Sequence, residues 1–208
     1  MWKIRVIILS LVLGMAALFY IQTESMQVER LQENVAEQVI RFHVLANSDT
    51  KEDQKLKLQV RDGILEGLQK KLVLADTKEE AEKILKKSAE EITCTAQKIL
   101  RQNGNANPVS VRLTTADFPV KTYGDTTFPA GTYETLQVEI GKAEGHNWWC
   151  VMYPTLCMVD ESVAVVPDDS KKKLQENLGK EYEEIAQNNL KVQYRFKLAE
   201  WWNGMWNE

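Results

Sequence analysis

The sequence predicts an α+β fold in which helices and strands occupy separate parts of the chain. Two long amphipathic helical patterns lie before residue 104, and most of the alternating strand patterns lie after residue 108. Helices and strands that are segregated in this way are typical of α+β domains and not of a doubly wound parallel sheet. We therefore expect a helical hairpin packed on a mixed or antiparallel β-sheet, preceded by an N-terminal signal or anchor helix.

The N-terminal segment differs from the rest of the chain. Lys3 and Arg5 are followed by an apolar run that ends at Ile21, and no acidic residue occurs before Glu24. A basic start followed by an apolar run is typical of a signal peptide or of a membrane anchor whose positive end stays inside. At roughly 18 residues, the run lies between a long signal segment and a minimal membrane span.

The sequence does not decide whether this segment is cleaved. Thr23 and Ser25 are small residues at positions −3 and −1 of a cut after Ser25, but there is no Ala-x-Ala site. We divide the chain into a signal peptide or membrane anchor at 1–25, a connecting helix at 26–38 and a single α+β domain at 39–208.

Capping signals mark the two helices of the expected hairpin. Residues 39–45 alternate as a strand, with its polar residues expected on a solvent-facing side. The first helix is capped either by Asp49 with Glu52 or by Thr50 with Asp53. Thr77 caps the second helix, which ends before Asn103 and Gly104, and a tight turn near residues 75–76 predicts an antiparallel pair.

The second half of the chain is rich in strand patterns. We expect strands at 109–114, 118–123, 132–140, 148–152 and 163–166, a helix at 168–184, and a last strand at 191–198. The tail that follows contains Trp201, Trp202 and Trp206.

Composition and motifs exclude several function classes. The net charge is −4 without a long basic block, which argues against nucleic-acid binding. There is no phosphate-binding glycine loop and no nucleophile elbow, so we expect neither a nucleotide cofactor nor a serine hydrolase. Thirty acidic residues leave paired carboxylates open, although most lie at helical spacing opposite lysines.

The three cysteines allow more than one interpretation. Cys150 and Cys157 are close in sequence, and export permits a disulfide between them. A nucleophilic pair of His146 with Cys150 and a metal site of His146 with both cysteines are alternatives, although the spacing fits no zinc motif. Cys94 lies in a helical pattern and is expected to be a small core residue.

Adjacent tryptophans mark a candidate contact surface. Trp148 and Trp149 on one strand should point to opposite faces, one into the core and one outward. Since exposed tryptophan is enriched at binding sites, we expect a partner-binding surface here. Its candidate residues are Asn147, Trp148, Trp149 and Pro154.

Five segments together resemble the stage II sporulation protein R family of endospore-forming bacteria. They are IRFHVLANSD at 40–49, LKLQVRD at 56–62, KTYG at 121–124, PAGTY at 129–133 and NWWCVMYP at 147–154. The tryptophan–cysteine segment is the most specific, and the likeness extends from about residue 39 to residue 202. Besides Cys150, Cys157 and the adjacent Trp148 and Trp149, the motif positions are Asn47, Ser48, Asp49, Arg61, Asp62, Tyr123, Gly124, Pro129 and Gly131.

The resemblance implies a signalling function that composition does not reveal. Members of this family are made in the forespore and exported into the space between the two sporangial membranes. There they trigger a membrane-embedded aspartic protease of the mother cell, which processes the sigma-E precursor. The resemblance thus implies a membrane protease as partner, with no catalytic residue, cofactor, metal or small-molecule substrate. A cell-envelope hydrolase acting on peptidoglycan and a structural envelope protein are the alternatives.

Overall fold

A computed structural model of the chain describes residues 2–157, 166 and 168–186. The predicted α+β class is confirmed. The strands expected at 163–166 and 191–198 and the tail tryptophans lie, apart from residue 166, outside the described residues. The helices and strands are α1 (Trp2–Gln38), β1 (Ile40–Leu45), α2 (Lys51–Leu72), α3 (Lys78–Gln102), β2 (Val109–Phe118), β3 (Lys121–Tyr123), β4 (Thr126–Phe128), β5 (Gly131–Ile140), β6 (Asn147–Tyr153), α4 (Asp168–Leu178) and α5 (Lys180–Ile185).

The main sheet is mixed and has four strands in the order β2-β5-β1-β6. The central strands β1 and β5 are parallel, while β2 and β6 pair antiparallel with them. The short strands β3 and β4 form a separate hairpin. The sequence analysis placed β3 in a longer strand at 118–123 and did not predict β4. The sheet therefore places β1 beside β6, which carries the tryptophan–cysteine segment.

The predicted helical hairpin covers one face of this sheet. Thr50 caps α2 by accepting a hydrogen bond from the backbone N–H of Asp53, and Thr77 caps α3 in the same way. Ile64 of α2 packs in one core cluster with Phe42 of β1 and Val138 of β5. A salt bridge from Lys71 near the end of α2 to Glu91 of α3 fits the antiparallel arrangement.

The opposite face of the sheet is covered as well, which the sequence analysis did not predict. The end of α1, the β3–β4 hairpin and α4–α5 form a second core cluster that includes Leu31, Phe128 and Leu174. The expectation that β1 has a solvent-facing side is therefore wrong, because Arg41 and His43 on that side are 0% and 5% exposed.

Arg41 is enclosed by aromatic rings. Its guanidinium carbon lies 4.5 Å from the centroid of Phe118, 5.8 Å from Tyr123, 5.2 Å from Phe128 and 5.1 Å from Tyr133. One terminal nitrogen donates to the Tyr123 hydroxyl at 3.3 Å, whereas Nε and Nη1 have no hydrogen-bond partner within the described part of the chain. Cation–π attraction to the ring faces and this one hydrogen bond therefore offset part of the cost of burying the charge.

The N-terminal segment and the connecting segment form a single helix. α1 runs from Trp2 to Gln38 without a break and is long and apolar enough to cross a membrane, and its apolar window is wholly unburied. Near its C-terminal end, Leu31 and Val35 are buried in the second core cluster. The last two turns of α1 are thus an integral part of the domain.

The enclosure of Arg41 predicts a large effect of its removal. We expect Arg41→Ala to lower the free energy of unfolding of residues 26–208 by about 3 kcal/mol, because alanine leaves the space among four rings unfilled. The matched control is Arg112→Ala on β2, whose side chain is 56% exposed and should contribute less than about 0.5 kcal/mol. Urea denaturation measures both, and equal effects would refute the role given to the cage.

Candidate functional site

The predicted site residues lie at two opposite ends of the sheet. We call the end where β1 finishes and β6 begins the loop end, and the end where β5 begins and β6 finishes the anchor end. Asn147 and Trp148 lie at the loop end, whereas Pro154 follows β6 at the anchor end. Because β6 has seven residues, the two ends are about 20 Å apart. The four partner-binding candidates therefore cannot form one compact patch.

The Asn47–Asp49 connection at the loop end is held by its own side chains. The carboxylate of Asp53 accepts hydrogen bonds from Ser48 Oγ at 2.6 Å and from Asn47 Nδ2 at 2.8 Å. These hydrogen bonds lower the pKa of Asp53. Two of the motif residues thereby fix the turn from β1 into the capped start of α2.

The same connection holds the loop between β5 and β6. Asn47 Oδ1 accepts the backbone N–H of Lys142 at 3.0 Å. Gly141 has φ +61°, and a Cβ there would lie 2.2 Å from the Asn47 amide, so glycine is required on both grounds. The Asn47 side chain thus joins two loops that are 95 residues apart in sequence.

Asp49 and His146 form the exposed rim of this end. Asp49 Oδ1 accepts from both the backbone N–H and the imidazole Nδ1 of His146, each at 2.5 Å. The hydrogen bond from this backbone N–H is the main cause of the lowered pKa of Asp49. Lys57 donates to the carbonyl of His146 at 2.9 Å, and Gln54 accepts from the Lys57 ammonium at 2.7 Å. Sequence reasoning assigned no role to Lys57 or Gln54, because only the tertiary fold brings α2 under this loop.

Trp148 is joined to two further motif residues. The Arg61 guanidinium lies 4.7 Å above the Trp148 ring and bonds Asp62 at 2.7 Å. The Trp148 ring also meets Phe42 edge-on at 5.9 Å. This half-buried ring thus contacts both the core and a charged pair on α2, and the preceding residue, Asn147, is exposed. Arg61, Asp62 and Trp148 therefore form one surface on the side of the helical hairpin, whereas the Asn147 side chain lies on the His43 side of the strand.

Trp149 points to the other face, where it is covered. Its ring stacks on the imidazole of His43 at 3.6 Å and meets Phe118 at 4.5 Å. The expectation of one ring in the core and one outward ring is not met, because both faces of the sheet carry a packed layer and both rings are half-buried. Burial lowers the pKa of His43 to about 4, with the nearby Asn147 side chain acting in the opposite direction. Neither ring nitrogen of His43 has a hydrogen-bond partner of standard geometry in the described residues.

The cysteines are arranged as a disulfide and a separate thiol. Cys150 and Cys157 are joined, with their Cα atoms 5.3 Å apart, and Cys150 is fully buried. Neither sulfur is available to form a nucleophilic pair or a metal site with His146, so the structure contradicts both alternatives. The prediction for Cys94 is wrong, because this residue lies on the exposed side of α3. Within the described ranges, no group of three or more His, Cys, Asp and Glu residues could hold a metal ion.

The motif residues at the anchor end pack the second layer. The Tyr123 hydroxyl donates to the carbonyl of Trp149, and the carbonyl of Pro129 accepts from Tyr133. A Cβ at Gly131 would lie 2.4 Å from the Gln32 side chain of α1, so this glycine allows α1 to approach the sheet. Gly124 lies in the β3–β4 turn with φ +57°. Pro154 is buried and follows a cis peptide bond.

Comparisons with known proteins identify a family for this chain. The family model for stage II sporulation protein R matches residues 36–163. The chain is also 32% identical over 154 residues to stage II sporulation protein R of Bacillus subtilis strain 168, covering 73% of this chain and 69% of that protein. No solved structure matches.

Removal of the disulfide should destabilise the domain. We expect Cys150→Ala with Cys157→Ala to lower the free energy of unfolding by about 2–3 kcal/mol, since the bridge closes a short loop in the unfolded chain. Urea denaturation under oxidising conditions measures the loss, and Cys94→Ala on the exposed side of α3 is the control. A double variant as stable as the parent would show that the bridge does not stabilise the fold.

His43 should make stability depend on pH. Its pKa is lowered in the folded state from 6.5 to about 4, so the unfolded chain takes up a proton first as the pH falls. We expect a loss of up to about 3 kcal/mol between pH 6.5 and pH 4, and no contribution from this group above that range.

The variant His43→Gln cannot take up this proton and should lack that part of the pH dependence. The pKa values of the Asp49, Asp53 and Asp125 carboxyls are also lowered in the folded state, from a usual value of 3.8. These groups therefore affect stability at lower pH than His43 does. Thermal unfolding measured from pH 7 to pH 4 separates the two ranges. An unchanged slope in the variant would contradict the assignment to His43.

Proposed function

Because this chain belongs to the stage II sporulation protein R family, we propose that it is an exported sporulation signal that activates a membrane-embedded aspartic protease. The forespore makes and exports it into the space between the sporangial membranes, and the mother-cell protease then processes the sigma-E precursor. The observation that carries this proposal is the family match over residues 36–163.

The N-terminal helix supports export and argues for retention in the membrane. The apolar part of α1 projects from the domain with none of its window buried. The helix continues unbroken through Ser25 into the docked turns at Leu31 and Val35. We therefore propose that α1 stays attached as an anchor, with its basic N-terminus on the forespore side.

The loop end supplies the surface that the protease would contact. Asn147 is exposed, Trp148 is held in place by Arg61, and the Asp49–His146 pair forms the adjacent rim. A half-buried tryptophan beside an arginine and exposed polar groups has the composition of a binding hot spot. The side-chain network at Asn47 and Asp53 holds these groups in fixed positions, which reduces the entropy lost on binding.

Activation requires a difference in affinity. A ligand shifts an enzyme toward its active state only if it binds that state more tightly than the inactive one. A shift from 1% to 99% active needs a preference of about 10⁴-fold. The rigid loop end could supply this preference by fitting only the active arrangement of the protease.

Co-expression in a non-sporulating host tests the proposal. The chain, the protease and the sigma-E precursor are produced together, and precursor cleavage is scored by immunoblotting. We expect cleavage only when all three are present. Cleavage that is equally fast without the chain, or absent with all three, would contradict the proposed function.

A surface variant tests the loop end within the same assay. We expect Asn147→Arg to lower precursor cleavage by about tenfold or more, because a bulky charge at a tight contact costs about 1.4 kcal/mol or more of binding. The matched control, Gln69→Arg, adds the same side chain at an exposed position of α2 toward the anchor end. Equal activity of the two variants, at equal amounts of folded protein, would exclude Asn147 from the contact surface.

A further inference from the structure

α1 leaves the domain at the anchor end of the sheet. Glu37 and Gln38 lie in a cleft with Glu134 and Lys78, whereas six residues earlier Gln32 donates to the carbonyl of Thr132 at 2.8 Å. Toward its N-terminus, α1 thus passes from the level of Glu134 to the start of β5. The apolar part of the helix then projects beyond this end of the sheet.

The distance from the apolar run to the domain is short. Nine residues, 22–30, separate Ile21 from Leu31, the first buried residue of α1. At 1.5 Å per residue they span about 14 Å. Headgroups extend about 6 Å beyond the hydrocarbon on each side of a bilayer. A spanning α1 therefore brings the anchor end close to the headgroups, and a modest tilt brings the two into contact.

The anchor end also carries exposed apolar side chains. Apart from α1, the described residues include four exposed large hydrophobic side chains, and three of them lie here: Val73 (58%), Leu74 (78%) and Val120 (52%). Val73 lines a cleft of about 190 Å³ with Pro154. Val120 follows β2, whose last residue pairs with the first residue of β5. The fourth, Leu58, lies in the first half of α2.

We propose that the anchor end of the domain rests on the membrane that α1 spans, with Val73, Leu74 and Val120 among the lipid headgroups. This inference depends on the retention of α1 put forward in the proposed function. Lys121 and Asp117 flank Val120, Lys70, Lys71 and Asp76 flank the other two residues, and Lys173 donates to the carbonyl of Val73 at 3.0 Å. The charges around the patch are of both signs, and the side chains that enter the headgroups are apolar. The loop end then faces away from the membrane.

Fluorescence quenching by lipids tests this orientation. The full chain, with Cys94→Ser, is inserted into phosphatidylcholine vesicles. Leu74→Cys, Val120→Cys or Glu144→Cys then carries one fluorophore, Glu144 being exposed at the loop end. We expect headgroup-linked nitroxide to quench at positions 74 and 120 at least about threefold more than at 144, since interfacial apolar groups lie ~5–10 Å into the headgroup boundary. If either position is quenched no more than 144, the proposal is wrong.

A pair of charge substitutions gives a second test. Leu74→Glu should reduce quenching of the probe at position 120 about twofold, because a carboxylate resists entry into the headgroup boundary. Leu58→Glu, on the helix that ends just before Leu74 but toward the loop end, should leave it unchanged. Equal effects of the two substitutions would overturn the contact at the anchor end.

Vesicle flotation separates this inference from the function. A chain that fails to float with the vesicles lacks the anchor, which overturns the membrane contact, while precursor cleavage in co-expression still reports signalling. A chain that floats and signals but shows equal quenching at all three positions overturns the orientation alone.

Discussion

The burial of the Arg41 guanidinium is the constraint that organises one side of this molecule. A fully buried cation without a carboxylate partner in the described residues must be enclosed, and the four enclosing rings come from β2, β3, β4 and β5. The small β3–β4 hairpin is thereby fixed on the sheet, and the last turns of α1 pack beside it. Buried charges are often less stabilising than apolar side chains of similar volume. We therefore interpret Arg41 as a residue that specifies one arrangement of this layer, at some cost in stability.

Strand β1 connects this layer to the candidate site. Alternate residues place Phe42 and Val44 against the helical hairpin and Arg41 and His43 against the second layer. The strand then continues into Asn47, whose side chain joins the start of α2 to the loop before β6. A substitution that disturbs the cage would therefore be felt at the loop end through the position of one strand. This coupling is structural and does not require a second conformational state.

The sequence predicted local features such as helix caps well. It predicted poorly which faces of the sheet are covered by other elements. Thr50 and Thr77 were identifiable because a capping hydroxyl and an acid three residues later have a local signature. Alternation along β1 correctly placed Arg41 and His43 on one side, but periodicity does not reveal whether a second layer covers that side. Cys94 could have been placed correctly, because Glu90 and Lys98, four residues away on either side, mark a polar stripe of α3. The surface of Arg61, Asp62 and Trp148 could not have been predicted, since residues 61 and 148 meet only in the tertiary fold.

The geometry also bears on how the domain, if exported as proposed, would reach the proposed protease in another membrane. With α1 as an anchor and the anchor end resting on headgroups about 6 Å thick, about 20 Å of sheet places the loop end roughly 25 Å from the bilayer hydrocarbon. The docking of Leu31 and Val35 makes this distance a property of the fold, whereas a flexible linker would leave it variable. A fixed height restricts the volume that the loop end can search and so raises its effective concentration toward a partner at that height. The unbroken α1 would then contribute to activation by orienting the signal, in addition to holding it on the membrane.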